Sequence, residues 1–288
     1  MIPRPAIRRL KANSKKIEHR NIKLESIEQE RLEMGLDLFD SHSHLDVPEF
    51  EHDRSAVVSR AQAEGVRQQL LPAVAFAGWS NLKDVCAQYS GLYPAYGLHP
   101  MYLASHRPEH IPALRTWLET EKPNAVGECG LDFFVEGLDA EQQRFYFIEQ
   151  LKLAREFKLP VVVHARRAVD EVLASIKKIG SVRGVIHSYS GSEEQARQLF
   201  KLGFSLGIGG PVTYDRAQRL RRLVTSMPIE FLLLETDSPD QPNADHRGQR
   251  NEPARLIDVL KVVAQLRKQP EQEIARYTTA NAEAMFLK

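Results

Sequence analysis

Residues 36–288 of this chain predict an α/β fold, a single (β/α)8 barrel with two extra C-terminal helices. Three observations carry that reading. Short apolar segments alternate with amphipathic ones, the pattern of a parallel sheet with helical crossovers. The alternation runs to eight units, which closes a barrel where an open doubly wound sheet usually stops sooner. Acid and imidazole side chains also recur where the apolar segments end: His42 and His44 in FDSHSHLD, Glu128 in AVGECGLDFF, His164 in LPVVVHARR, His187 in GVIHSYSG and Asp237 in FLLLETDSP. Barrels place their chemistry at those ends, because the loops after the strands all open on one face.

In chain order, the strands are expected over 36–43, 66–72, 93–98, 124–129, 159–164, 183–188, 203–208 and 231–236. Helices fit 53–64, 77–89, 108–121, 140–158, 168–179, 192–202 and 214–226. Ser192 before EEQARQLF and Asp139 before AEQQRFYF are N-cap signals. Helices over 253–267, with Pro253 in the first turn, and 270–287 are expected to cover the outside and bottom of the barrel. Residues 1–35 are charged, poor in large apolar side chains and free of strand-like runs, and are expected to be a disordered extension. The functional alternative is a basic arm that adds phosphate affinity.

Composition narrows the partners. The 288 residues are 42% hydrophobic and 27% charged, with a formal net charge of +1. Residues 1–33 hold nine Lys/Arg against five Asp/Glu, which leaves the remainder at −3. A body of that charge is a poor match for a long duplex, so a nucleic-acid substrate is expected to be short or held at an end. Cys86 and Cys129 fall in an amphipathic helix and a buried strand, with neither the number nor the spacing of a disulfide framework or zinc motif. No apolar run approaches the roughly 18 residues that span a membrane, and the N-terminus lacks the apolar core of a secretory signal. A cytoplasmic monomer is expected.

The chemistry lies in the strand ends. Strand side chains alternate faces, so His42 and His44 are expected to project together into the barrel mouth and grip one divalent ion. Asp40 and Asp46 are available as partners that fix an imidazole. Glu128 has no obvious salt partner, and its burial without a cation would be costly. It is placed to bridge to a second ion, which His164 and His187 suit. Asp237 ends an apolar strand and reads as a ligand or general base. Glu235, two residues back on the same face, reads as a deeper supporting or layer-filling residue, and Cys129 as packing. Mixed imidazole and carboxylate ligation suits Mg, Mn or Zn without choosing among them. Two such ions would acidify a water and clamp the attacking and leaving oxygens.

These motifs resemble the TatD family of metal-dependent deoxyribonucleases, within the wider amidohydrolase-like barrel group. The resemblance runs from about residue 37 to the C-terminus through DSHSHLD, GLHP, GECGLDFF, VVVHARR, GVIHSYSGS, the GIGG turn, LLLETDSP, RNEP and NAEAMF. The YGLHP form and the long ETDSPDQPNADHRGQRNEP loop are similar to its YjjV-like branch. The resemblance implies that His42 and His44 bind the first metal, that Glu128 bridges, that His164 and His187 hold the second, and that Asp237 ligates and helps activate water. It also implies that His99 in GLHP faces the substrate phosphate. Ser43 stands where many members have Cys, and Met101 where some have another His.

The rim favours a phosphodiester, whose transition state spreads negative charge over phosphoryl oxygens. His99, Arg166, Arg167, Arg247 and Arg250 all fall in loops expected at the catalytic face, with Arg166 and Arg250 the substrate contacts of choice. The loop 238–252, the longest expected connection, reads as a lid or wall. Gly209-Gly210 reads as a phosphate-cradling turn. Arg216, Arg219, Arg221 and Arg222 read as a solvated helix face. Tyr189 and Tyr214 are placed either to stack a base or to pack. The expected activity is thus a two-metal deoxyribonuclease, an exonuclease on short single-stranded DNA or strand ends. The alternatives are an amidohydrolase of C–N, ester or lactone bonds, for which no strand ends in the Lys such enzymes often carboxylate, and a dead nucleic-acid-binding scaffold, which the complete ligand set disfavours.

Overall fold

The structure, a computed structural model, describes residues 35–287, so the expected N-terminal extension lies outside the described residues apart from Gly35. From Asp37 onward the chain forms one compact unit. The strands are β1 (Leu38–Asp40), β2 (Val66–Pro72), β3 (Leu92–Tyr96), β4 (Ala125–Asp132), β5 (Val161–Arg166), β6 (Gly184–Ile186), β7 (Phe204–Ile208) and β8 (Leu232–Leu234). Between them run α1 (Arg54–Ala63), α2 (Trp79–Gln88), α3 (His110–Glu121), α4 (Ala140–Phe157), α5 (Val169–Ile179), α6 (Glu193–Lys201) and α7 (Gln218–Ser226). The sheet order is the chain order, and every neighbouring pair is parallel. Backbone bonds from Ser41 to Leu234 and from Asp237 to His42 (2.9 and 2.8 Å) then tie the last strand to the first.

Local chemistry explains the elements. The Val run of β5 and the Leu run of β8 are buried on both faces, so they need no polar alternation. Asp139 starts α4 by accepting from the backbone N–H groups of Glu141 and Gln142, and Ser192 starts α6 through a reciprocal capping box with Gln195. Inside the barrel, Phe39, Leu70, Ala95, Ala125, Val162, Val185 and Leu233 from seven strands form one buried cluster, the Phe, Leu and Val side chains each contributing about 1.5–3 kcal/mol. Ala282 and Phe286 of α9 (Glu271–Phe286) complete it. Asn281 Nδ2 donates to the carbonyls of Ile229 and Leu232, and Asn124 Nδ2 to that of Phe286, all beside strand starts. The last helix therefore closes the bottom, and the C-terminal ends of the strands are left to the site. Helix α8 (Leu256–Arg267) packs outside, against α7.

The strands differ from expectation where the site begins. β1, β6 and β8 are three residues each, because the chain leaves the ladder to turn His42, His44, His187 and Asp237 toward the axis. β4 is longer than expected and runs to Asp132. The helix expected from 214 starts at Gln218, since residues 210–213 form a 3-10 turn.

Candidate metal centre and its cleft

Glu128 is the hub. It is buried, and its two oxygens face two different groups of side chains. Oε2 lies 3.2 Å from His42 Nε2 and 3.7 Å from His44 Nε2. Asp237 Oδ1 joins that group at 3.5 and 3.6 Å from the same two nitrogens, which are 3.1 Å apart. Oε1 lies 2.8 Å from His187 Nε2, 3.0 Å from His164 Nδ1 and 2.9 Å from His99 Nε2.

Hydrogen bonds on the far side of each ring determine which nitrogen carries the proton, since a neutral imidazole has one donor and one acceptor. His44 Nδ1 donates to the Pro72 carbonyl at 3.1 Å, which leaves a lone pair on Nε2. His164 Nε2 meets Asp132 Oδ2 at 2.8 Å, which leaves a lone pair on Nδ1. His187 Nδ1 is buried without a hydrogen bond, 3.7 Å from the Glu235 carboxylate, so no bond fixes the tautomer of that ring. In their neutral tautomers His44 and His164 therefore aim electron pairs at the Glu128 and Asp237 oxygens, which are acceptors themselves. Converging acceptors repel unless a cation lies between them. The separations around Oε2, 3.1–3.7 Å, bracket the edges, about 3.3–3.6 Å, of a tetrahedron of ligands at the usual 2.0–2.2 Å, whereas those around Oε1, 2.8–3.0 Å, are shorter. The residues therefore fit metal binding, and three groups of them bring ligand atoms within 4.8 Å of one another: His42, Glu128 and His187; His42, His44 and Asp237; His99, Glu128 and His164.

His99 differs from the rest. Its Nδ1 accepts from the Met101 backbone N–H at 3.1 Å, so its proton sits on Nε2 and is donated to Glu128 Oε1. A ring held in that tautomer is a donor rather than a ligand, although its position alone would serve either role.

Charge follows the geometry. Burial resists ionisation of Glu128, yet His99, His187, His42 and His164 together hold its carboxyl well below the usual range. Burial likewise opposes Asp237, which its bond to His44 and the nearby imidazoles bring down to about 2. Burial and the neighbouring His187 push His42 down. For His44, burial is overcome by Asp237 and Glu128, and its pKa rises to about 9, so without an ion a proton on Nε2 lies beside these carboxylates and must leave for a metal to bind there.

Two supporting roles differ from expectation. Asp40 does not fix an imidazole: it accepts from Thr236 Oγ1 (2.6 Å), Thr236 N and His42 N, bracing β8 against β1, and burial pushes its carboxyl up to about 8. Asp46 holds no imidazole either, and its Oδ1 is buried without a partner. Glu235 is a supporting residue that accepts from Ser188 N at 2.5 Å. Gly207 makes room for it, since a Cβ there would lie 1.9 Å from Glu235 Oε2.

Sequence reasoning missed two such residues. Asp132 accepts from the N–H groups of Phe134 and Val135 while holding His164. Its signal was available, because positions 128 and 132 share a strand face. Gln241 donates to Asp237 Oδ2 at 2.5 Å and accepts from Ser188 Oγ, binding two strand ends together through a loop no periodicity reveals.

The centre opens into a cleft of about 860 Å³ whose walls include Met101, Tyr102, Arg166, Arg216 and Arg219. The guanidinium of Arg166 lies 3.8 Å over the Phe134 ring. Arg167 lies beside the same ring at 4.6 Å, Arg247 is exposed, and neither is in the cleft wall. Arg250 is elsewhere too: it grips both oxygens of Asp53 at 2.9 and 2.7 Å, donates to the Glu49 carbonyl and stacks on Phe50. Arg216 and Arg219 face the cleft rather than bulk solvent alone, whereas Arg221 donates to the Val212 carbonyl. The hydroxyls of Tyr189 and Tyr214 are tied to the Ser192 and Pro242 carbonyls. Among the described residues, no helix is long and apolar enough to cross a membrane.

Comparison with known proteins finds relatives along nearly the whole of the described residues. The family model described as TatD related DNase matches residues 39–287. The chain is 38% identical over 250 residues to the uncharacterized metal-dependent hydrolase YjjV of Escherichia coli K12, covering 86% of this chain and 96% of the relative. It is 34% identical over 258 residues to the 3'-5' ssDNA/RNA exonuclease TatD of Cronobacter sakazakii, covering 87% and 98%. The crystal structure of the E. coli YjjV protein superposes with a TM-score of 0.84 at 36% identity, over 87% of this chain and 98% of that one.

Proposed function

The chain belongs to the TatD family of metal-dependent hydrolases, and from that premise we propose that it hydrolyses phosphodiester bonds with two divalent ions, as a deoxyribonuclease that trims short single strands or strand ends. The observation that carries the reading is the division of Glu128, whose two oxygens face separate donor groups. His42, His44, Asp237 and Glu128 would hold one ion, and Glu128, His164 and His187 the other. Bound there, divalent ions lower the pKa of water and offset charge on phosphoryl oxygens.

The remaining work falls to the protein. Asp237 Oδ1 faces the first donor group while Gln241 fixes Oδ2, so it is oriented to take the proton of the attacking water. His99 presents an Nε2–H beside Glu128, in reach of a phosphoryl oxygen. Arg166, held 3.8 Å over the Phe134 ring and engaged by no carboxylate among the described residues, supplies a cation to a neighbouring phosphate. The name of the Cronobacter relative, a 3'-5' ssDNA/RNA exonuclease, supports a strand-end substrate. The test is a panel of labelled single- and double-stranded DNA and RNA, blunt and overhanging, assayed with Mg, Mn and Zn. Metal-dependent release of terminal nucleotides is expected. Failure to cleave any phosphodiester with any of the three ions would overturn the proposal.

A further inference from the structure

Exposed apolar side chains scattered singly mean little, but adjoining ones in the wall of a cleft mark a contact surface. Among the described residues, Phe76, Met101, Tyr102, Phe134 and Phe145 stand at 40–45% exposure, and two of them, Met101 and Tyr102, line the cleft. Tyr102 is held close to the chemistry. Its ring lies 5.5 Å from the His99 ring at 82°, and His99 touches Glu128. It sits in a short 3-10 turn, Pro100–Ser105. The Tyr102 N–H and His106 Nε2 both donate to the His99 carbonyl, at 3.1 and 2.8 Å, so the turn and His99 are fastened together. The hydroxyls of Tyr189 and Tyr214 are tied to carbonyls, whereas that of Tyr102 has no hydrogen bond among the described residues.

We propose that Met101 and Tyr102 form a stacking platform for the unpaired base adjoining the cleaved phosphodiester. This rests on the phosphodiesterase reading above and adds what the cleft recognises beyond the phosphate. Every base has an apolar π face, so such a platform is indifferent to sequence. It does require a free face. A base inside a duplex has both faces covered by its neighbours and a blunt end exposes only the outer face of its last pair, so the platform favours single strands and frayed ends, whose bases offer more free face. Arg166, on the cleft wall, serves the chain of phosphates that the base brings with it.

The test compares single-stranded oligonucleotides that end in a normal nucleotide with the same strands ending in an abasic residue. In wild type, the abasic end should lower kcat/KM by roughly 5- to 150-fold, the range for loss of one base–aromatic stack. In Tyr102→Ala that ratio should collapse toward one, and in Tyr102→Phe it should be retained, because the ring rather than the hydroxyl stacks. A ratio in Tyr102→Ala equal to that of wild type would overturn the platform, as would no ratio in wild type. Absence of cleavage of both substrates by wild type would instead overturn the phosphodiester reading, and the platform with it. Circular dichroism and metal content of each variant separate these results from misfolding.

Discussion

Replacing Asp132 by Asn tests whether the tautomer of His164 is set from behind. The substitution keeps the shape of the side chain and its Oδ1, which accepts from Phe134 N and Val135 N at 2.9 and 3.0 Å. It replaces the oxygen lying 2.8 Å from His164 Nε2 with an amide N–H. Two donors would then face each other. His164 relieves the clash by moving its proton to Nδ1, the atom aimed at Glu128, and loses the lone pair needed there. Loss of such a supporting carboxylate costs about 10- to 100-fold in metal affinity, or about 1.4–2.7 kcal/mol. If the amide instead rotates to keep its oxygen on His164, its NH₂ faces the two backbone N–H groups. The cost then appears as roughly 1–3 kcal/mol of stability. Chelator competition and thermal melts on the same samples read both outcomes. The expected result is one ion weakened and the other retained. Metal affinity and Tm both equal to wild type would refute the reasoning.

Other substitutions separate the remaining roles. Glu128→Ala should lose stoichiometric metal and hydrolysis while keeping its circular dichroism, because the site sits at the strand ends and the core lies below it; cleavage at the wild-type rate would refute the bridging role. His99→Ala should keep its metal yet turn over roughly 10²- to 10³-fold more slowly, the cost of one transition-state donor, and metal loss in that variant would make His99 a ligand. Arg250→Ala should act on stability rather than on substrate. Its bond to Asp53 holds that carboxyl at about 2 against the usual 3.8, so the stabilisation is present above about pH 4 and is lost as the pH falls toward 2. With both side chains partly exposed, the effect should be about 1 kcal/mol at neutral pH. Acid titration should show a flatter limb in the variant, and a salt-dependent loss of substrate affinity at unchanged stability would contradict this.

The barrel was legible because its signals are local. Val161–Val163 and Leu232–Leu234 announce strands through apolar runs, and Ser192 and Asp139 announce helices through caps that the structure forms. The six candidate ligands were legible for a related reason: each lies at or within a few residues of the end of such a run, and the topology carries run ends to one face. Partnerships between distant residues were not. In the sequence the acid at hand for Arg250 is Glu252, whereas its partner in the structure, Asp53, lies 197 residues away. Asp40 shares the parity of His42, yet its bonds go to Thr236, across the junction of the first and last strands. Tyr189 and Tyr214 read as base-stacking candidates while Tyr102 passed unnoticed, because hydroxyl tethering and solvent exposure are properties of the folded loops.

That junction has a further consequence. A barrel is a sheet whose two edges have been fastened, and here the fastening is short: β1 and β8 hold three residues each. Asp40 clasps Thr236, and the backbones of His42, His44, Asp237 and Ser238 lace the edges just above. His42 and His44 come from one edge and Asp237 from the other. An ion held among them would be a rivet through the closure as well as an instrument of chemistry, and at a hundredfold excess over Kd it would add about 2.7 kcal/mol to the stability of the closed ring. Whatever pries the rivet out loosens the whole hoop at the point where the domain's beginning meets its end.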